Sequence, residues 1–504
     1  MTTLRVFFIA ELFFVVPFLC MLVGPQSGFA QSSTISGVLD AYVKKSALDQ
    51  GDLGAVVLDA QSGNTLFEYR ADSAMIPASV IKILTGYAAL RVLGSNFSFS
   101  TKVFTDESSQ DVASSGYAQK LYVRGYGDPS LVEESLWQVA QELHRRGLKR
   151  IERVVLDDSF FVEPSGRGGQ RAYESGQGAL SLNHNSLAIY VTGQSPGDPP
   201  FVSVSGENGY VVVNKAVSAK SSQGSLDVSL DSVNSAWSEN GNELKGTLGT
   251  VRVSGKVASG ETEVVYRAVS DPTAYFGTVF SDLLRQAGIL VSKPVIRGQA
   301  PSRADLLYVH QSKPLTEILR DLNLYSNNFI AEQLVFALGQ DSGASSSHEA
   351  GMRAINKFIS NARLGNENFR VVDGSGLSRD NRATANGLAH ILKIAGDDFS
   401  VGPYFLASLS RFGVSGTLKK RELGTHESQS GENGQRTFDV LSPRSESVWG
   451  KTGSLTDVSS LAGYALTGDG RKVIYVILIN GKYSYPEAKK FEDGFINKLI
   501  SFSK

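Results

Sequence analysis

Hydrophobic and polar positions change their rhythm twice along this chain. Residues 54–70, GAVVLDAQSGNTLFEYR, set apolar β-formers on either side of a Ser-Gly-Asn turn and predict two strands. The next stretch, IPASVIKILTGYAALRVLG, repeats at helical spacing. Val80, Ile81, Leu84, Ala88 and Leu90 form its apolar side, Pro77 suits its first turn, and Gly94 follows as C-cap. From about 96 to 304 the texture is rich in Ser, Gly and Val, with short alternating runs such as LYVRGYG, YVVVNKAV and GTVRVSGKV. These predict strands between turns, interrupted by helices near 131–146 and 272–287. Residues 221–246 are low in large apolar side chains and predict surface loops and edge strands. From about 305 helices return. Leu315, Ile318, Leu319 and Leu322 recur at i, i+3, i+4 and i+7, and a second helix starts just after Ser326. Lys451 leads into a strand, a Gly-Asp-Gly turn and another strand, and a last helix follows Pro486. The order is α/β, mostly β, then α/β, which predicts one domain split by a large insertion.

Composition refines this only at the N-terminus. Of the 504 residues, 41% are apolar and 20% charged, as in ordinary folded domains. A formal net charge of −1 supplies no field for nucleic acid and leaves a homo-oligomer open. Arg5 precedes an apolar run from Val6 to Val23, broken by Glu11 and Pro17, and Gly28-Phe29-Ala30 makes a small-x-small exit. That is the pattern of a secretory signal peptide over residues 1–30, with an uncleaved anchor as the alternative. Export to a periplasm is therefore expected, ahead of the cell surface or a membrane-associated form. Cys20, the only cysteine, lies inside this segment after Leu19, which is not the small residue that lipidation requires. The mature chain would hold no disulfide and no cysteine nucleophile. No two of the six histidines form an H-x-x-x-H or H-x-H pair, so no metal or other cofactor is expected.

Three short motifs carry the candidate chemistry. Ser79 and Lys82 are one helical turn apart, so hydroxyl and amine share a face. A serine is a poor nucleophile until a base takes its proton, and a lysine serves if burial or a second cation keeps it neutral. Ser326-Asn327-Asn328 falls in the break between two predicted helices, where a serine also suits an N-cap. Gly450-Lys451-Thr452 has the look of a phosphate loop. However, Ser445 stands where that loop needs glycine, and a strand follows where it needs a helix. Lys451 instead suits a substrate carboxylate, and Gly453 would let an extended substrate lie along the strand edge. Each motif alone is weak; Ser501 and Lys504 repeat the first by chance.

In this order the three motifs resemble the Ser-x-x-Lys, Ser-x-Asn and Lys-Thr-Gly signatures of penicillin-binding proteins and β-lactamases. The long gap between Ser79 and Ser326 is similar to that of the low-molecular-mass class C penicillin-binding proteins, the D-alanyl-D-alanine carboxypeptidase/endopeptidases. VRGYGDPSL (123–131), ALSLNHNS (179–186), VVDGSGLSRDN (371–381), GVSGTLKKR (413–421) and KTGSLTDVSSLAGYAL (451–466) also resemble that family. The resemblance implies an α+β, penicillin-recognising serine transpeptidase-like domain. Its antiparallel sheet would carry helices on both faces, and a mostly β insertion of two domains would split it. The implied boundaries are 31–95 with 305–504 for the catalytic domain, 96–185 with 265–304 for one insert, and 186–264 for the other.

The resemblance also implies roles. Ser79 would be the acyl-enzyme nucleophile, Lys82 its base and Ser326 a proton relay. Asn328 would contact a substrate amide, and Lys451 and Thr452 the terminal D-Ala carboxylate. The N–H groups of Ser79 and Ser454 would form an oxyanion hole. Asp157, or equally Asp158, would meet the free amine of the stem peptide's diamino acid, and Arg379 its carboxylate. Substrates would be peptidoglycan stem peptides and cross-links, with β-lactams as covalent inhibitors. A β-lactamase or esterase on the same scaffold, and a wall-binding protein without catalysis, are the alternatives. One departure stands in the second motif, which is Ser-Asn-Asn where many members have Ser-Asp-Asn.

Overall fold

The computed structural model describes residues 34–162, 169–206, 209–221, 226–233, 236–238, 243–341, 345–421, 423 and 447–503. The expected signal segment lies outside them. Both ends of the described chain build one antiparallel sheet. Its strands are β1 (Leu53–Asp59), β2 (Thr65–Tyr69), β3 (Val448–Leu455), β4 (Val458–Leu466) and β5 (Lys472–Asn480). They lie in the order β2-β1-β5-β4-β3, and residues 410–411 extend the β3 edge. The central strand β5, KVIYVILIN, is almost wholly apolar because both its faces are covered. Helices α1 (Ile35–Lys45) and α6 (Tyr485–Ile500) cover one face, where Val57, Tyr475 and Ile477 meet Phe491 and Phe495. Helices α2 (Lys82–Leu93), α3 (Leu315–Leu324), α4 (Asn328–Leu338) and α5 (Ala385–Asp397) cover the other, where Val56, Ile474 and Val476 meet Leu84, Leu334 and Leu388. This is the split α+β domain expected, with helices on both faces.

The insertion builds a second body. Strands 100–105, 117–125, 150–157 and 305–311 share a mixed sheet with helices 133–145 and 272–286 packed on it. Further strands at 186–192, 201–204 and 262–268 form an antiparallel sheet, and 210–214, 227–232 and 249–254 form a mixed one, with 249–254 antiparallel to 227–232 and parallel to 210–214. Their apolar faces meet in one core, in which Val154 and Phe280 join Val228 and Val251. The ladders move the expected boundaries. Residues 305–311 pair with 100–105, so they belong to the insertion and not to the catalytic domain. Strand 262–268 pairs along its whole length with 186–192 and runs across the expected break at 264/265. Hydrogen-bond pairing sets these limits, and composition does not report it.

Candidate active site

The predicted helix at 77–93 begins differently from its pattern. Ala78–Ile81 form a 3-10 turn, and the α-helix starts only at Lys82. In a 3-10 turn, side chains three apart eclipse one another. Lys82 Nζ therefore stands directly over Ser79 and donates to its Oγ at 2.9 Å. Lys82 has no exposed surface. Its ammonium also donates to Asn328 Oδ1 at 2.7 Å and to the Ser375 carbonyl. Ala78, just before the nucleophile, sits at φ 46°, a left-handed conformation unfavourable for a residue with a Cβ. Ser460 Oγ donates to the Pro77 carbonyl at 2.7 Å and fastens β4 to this turn.

Ser326 occupies the corner between α3 and α4, also left-handed at φ 53°. It is not the helix cap. Asn327 is: its Oδ1 accepts from the Ile330 N–H at 3.1 Å. Ser326 Oγ is thereby left for Lys451, whose Nζ donates to it at 2.7 Å. Asn328, the first residue of α4, presents Oδ1 to Lys82 while its Nδ2 donates to the Tyr173 carbonyl of the insertion at 3.3 Å. The departure Ser-Asn-Asn is explained here, because asparagine and aspartate cap helices about equally well.

Lys451 projects from β3 with no exposed surface. Burial first, and the positive charge of Lys82 second, push its pKa well below the usual lysine range. Next along β3, Thr452 Oγ1 lies 2.8 Å from Thr417 Oγ1. A Cβ on Gly453 would fall 2.3 Å from Ser460 Oγ and 2.8 Å from the Ser79 nitrogen. Only glycine lets the strand edge lie this close to the nucleophile's N–H. Ser454 follows with an exposed side chain. Ser79, Ser326, Thr417, Thr452, Gly453 and Ser454 border a cavity of about 220 Å³.

Two of the expected residues lie apart from this cluster. Asp157 ends strand 150–157 with its side chain wholly buried. One oxygen accepts from the Ser159 N–H at 3.1 Å and Oγ at 2.6 Å; the other accepts from the Ala300 N–H at 2.9 Å. Arg124 Nε stands 3.6 Å away. A carboxylate so enclosed braces the insertion and is closed to a substrate amine. Asp158 is occupied too, by Thr273 Oγ1 at 2.7 Å and Arg297 at 3.1 Å. Arg379 is exposed and donates to the Thr456 carbonyl at 2.7 Å, which ties the 371–381 loop to the β3–β4 turn.

Other groups had no role assigned from sequence. The Ser375 carbonyl accepts from both Lys82 Nζ and Ser79 Oγ. Its loop is shaped by Asp373, whose oxygens accept from the Gly376 and Ser378 N–H groups, each at 2.7 Å, and from Asn381 Nδ2 at 2.8 Å. Glu332, 1% exposed, accepts from the Ser375 N–H at 3.0 Å and lies 3.1 Å from His348 Nε2. One signal was available: an acid inside the apolar run FIAEQLVFAL is buried and must have partners.

Comparison with known proteins gives the family. A family model described as the D-Ala-D-Ala carboxypeptidase 3 (S13) family matches residues 35–499. The D-alanyl-D-alanine carboxypeptidase of Actinomadura sp. strain R39 is 28% identical over 493 residues, covering 92% of this chain and 84% of that protein. The D-alanyl-D-alanine carboxypeptidase DacB of Haemophilus influenzae is 27% identical over 470 residues, covering 90% of this chain and 91% of its own. The crystal structure of penicillin binding protein 4 (dacB) from Haemophilus influenzae superposes with a TM-score of 0.70 at 24% identity, over 92% of this chain and 99% of that one.

Proposed function

Because this chain belongs to the D-Ala-D-Ala carboxypeptidase 3 (S13) family, we propose that Ser79 is the residue through which it cleaves stem peptides, by an acyl-enzyme route. The chain is a serine-type D-Ala-D-Ala carboxypeptidase. One observation carries the assignment: Lys82 Nζ, wholly buried, bonds Ser79 Oγ at 2.9 Å and has no exposure to bulk water. A lysine so placed is a base for that hydroxyl once it is neutral.

In acylation Ser79 Oγ attacks the penultimate D-Ala carbonyl, and Lys82 takes the proton. The Ser79 N–H, with that of Ser454, stabilises the oxyanion. The C–N bond breaks and the leaving nitrogen takes a proton relayed from the Lys451–Ser326 pair. Water then hydrolyses the ester. Thr452 and Thr417 receive the terminal carboxylate beside Lys451. A β-lactam carbonyl meets the same serine and leaves a slowly hydrolysed ester. The pattern from Arg5 to Ala30 supports export, and a periplasmic enzyme would meet peptidoglycan there.

The test is labelling of the purified chain with a fluorescent penicillin, with Ser79→Ala alongside. A lasting adduct on the wild type and none on the variant is expected. Adduct on neither would leave a wall-binding protein. Rapid penicillin turnover without adduct would mean a β-lactamase.

A further inference from the structure

The segment Asp373-Gly374-Ser375-Gly376 borders Lys82 and sends its donors and acceptors to opposite sides. Each N–H from 374 to 376 meets a carboxylate. Gly374 and Ser375 donate to Glu332 Oε2 and Oε1 at 3.4 and 3.0 Å, and Gly376 donates to Asp373 Oδ1 at 2.7 Å. The carbonyls face α2 instead. Gly374 accepts from Thr85 Oγ1 at 2.8 Å, and Ser375 accepts from Lys82 Nζ, one turn earlier on the same helix. The segment is pressed into this alignment: Gly376 sits at φ 80°, and a Cβ there would fall 2.0 Å from the Ala78 carbonyl oxygen.

Sorted by peptide unit, these bonds make lines of charge and dipole. The Gly376 N–H and the Ser375 carbonyl belong to one peptide. The Asp373 carboxylate stands at one end of it and the Lys82 ammonium at the other. A carboxylate at the N–H end polarises the unit and strengthens its carbonyl as an acceptor. The preceding peptide has Glu332 at its N–H and ends on the neutral Thr85 hydroxyl. Of the two lines, the Asp373 one ends on the base. Asp373 is 5% exposed and is fixed by the Ser378 N–H at 2.7 Å and by Asn381 Nδ2 at 2.8 Å. The remaining groups around Lys82 are Ser79, Asn328 on α4 with Glu332 one turn further on, and the second cation, Lys451, from β3.

We propose that Asp373 is a positioning residue of the reaction: acting through the 375–376 peptide, its charge strengthens the acceptor at the Lys82 ammonium and makes Lys82 a stronger base for Ser79. The inference rests on Ser79 being acylated with Lys82 as its base. The proton that leaves Ser79 Oγ goes to Lys82 Nζ, and none passes to Asp373.

The experiment measures the rate of penicillin acylation against pH for full chains of wild type, Asp373→Asn and Asn381→Ala, with Tm checked for each. Asp373→Asn removes the charge. Its acidic limb should move about one pH unit to the acid side, and its upper plateau should fall, because a weaker base takes the proton. Asn381→Ala loosens the same loop but keeps the charge, so its rate should fall with the limb in place. Should Asp373→Asn fail to fold, Asp373→Glu, which keeps the charge but displaces it from the Gly376 N–H, should move the limb the same way by less. A limb at the wild-type position in the folded Asp373 variant, however slow the reaction, would overturn the proposal. So would an equal shift in Asn381→Ala, since loop shape would then suffice. A wild type that takes no label at any pH would instead sink the reading of Ser79, and this inference with it.

Discussion

At the scale of single residues, the unusual expense is two lysines with no exposed surface, Lys82 and Lys451, in one site. Lys451 is pushed well below the lysine range, first by burial and then by Lys82. The sign for stability follows from proton counting. An unfolded lysine keeps its proton up to about pH 10.4, whereas folded Lys451 has released it at lower pH. Between those two values the unfolded state binds more protons, so stability rises with pH across the window. Below the folded pKa the protein must bury the charge. Replacing Lys451 by Met should remove this slope. Urea unfolding of wild type and Lys451→Met from neutral pH to pH 10 checks it: the gap between them should narrow or change sign in favour of wild type as pH rises. Parallel pH dependences would contradict the shift. The variant should also lose the Ser326 contact, so stability and acylation are expected to move in opposite directions near neutral pH.

Local elements decide where the chemistry points. A regular α-helix from Pro77 would rotate Ser79 and Lys82 apart by about 60°, given 3.6 residues per turn. The 3-10 turn eclipses them instead. The α3–α4 corner works similarly, since Asn327 takes the capping role and releases Ser326 for Lys451. This makes the middle residue of the motif a structural one. Asn327→Asp should leave stability within about 0.5 kcal/mol, and Asn327→Ala should cost about 1 kcal/mol. Both should keep penicillin acylation within a few-fold of wild type. Chemical denaturation with a labelling time course measures both. A large acylation loss in Asn327→Asp would show that the side chain touches the reaction.

For the whole molecule, the insertion and the catalytic domain are joined through α4. Phe336 stacks on Phe161 with centroids 4.1 Å apart, and Gln333 Nε2 donates to the Gly127 and Gly178 carbonyls at 3.2 and 3.0 Å. The same helix carries Asn328, which is bonded to Tyr173 of the insertion. Phe336 has no exposed surface, so Phe336→Ala should cost about 3–5 kcal/mol. The loss falls on the joint between the two bodies and not inside either core. Calorimetry should therefore resolve the variant's unfolding into two transitions where the wild type shows stronger coupling. A single transition merely shifted down would mean that the two bodies fold as one unit regardless of this contact.

Much of this was legible in the chain itself. The strand and helix rhythm of 54–94 and of the chain after about 305 predicted one domain of strands and helices interrupted by an insertion, because burial on one face imposes period 2 or 3.6 wherever it occurs; the family resemblance supplied its α+β class. The three motifs marked the residues that the fold brings together around Ser79, because acyl transfer needs a nucleophile, a base and a carboxylate site, and those residue types were visible in one dimension. Other features depend on pairing between distant segments. Residues 305–311 joined the insertion through a ladder with 100–105. Asp157 resembled a substrate contact until the fold enclosed it against Arg124 and Ala300. The Ser375 carbonyl carries no side-chain signal at all, yet it accepts from Lys82 alongside Ser79 and Asn328. Period and motif are local properties and survive in one dimension. Backbone acceptors and enclosure are created only when the chain folds back on itself, so only the tertiary structure decided them.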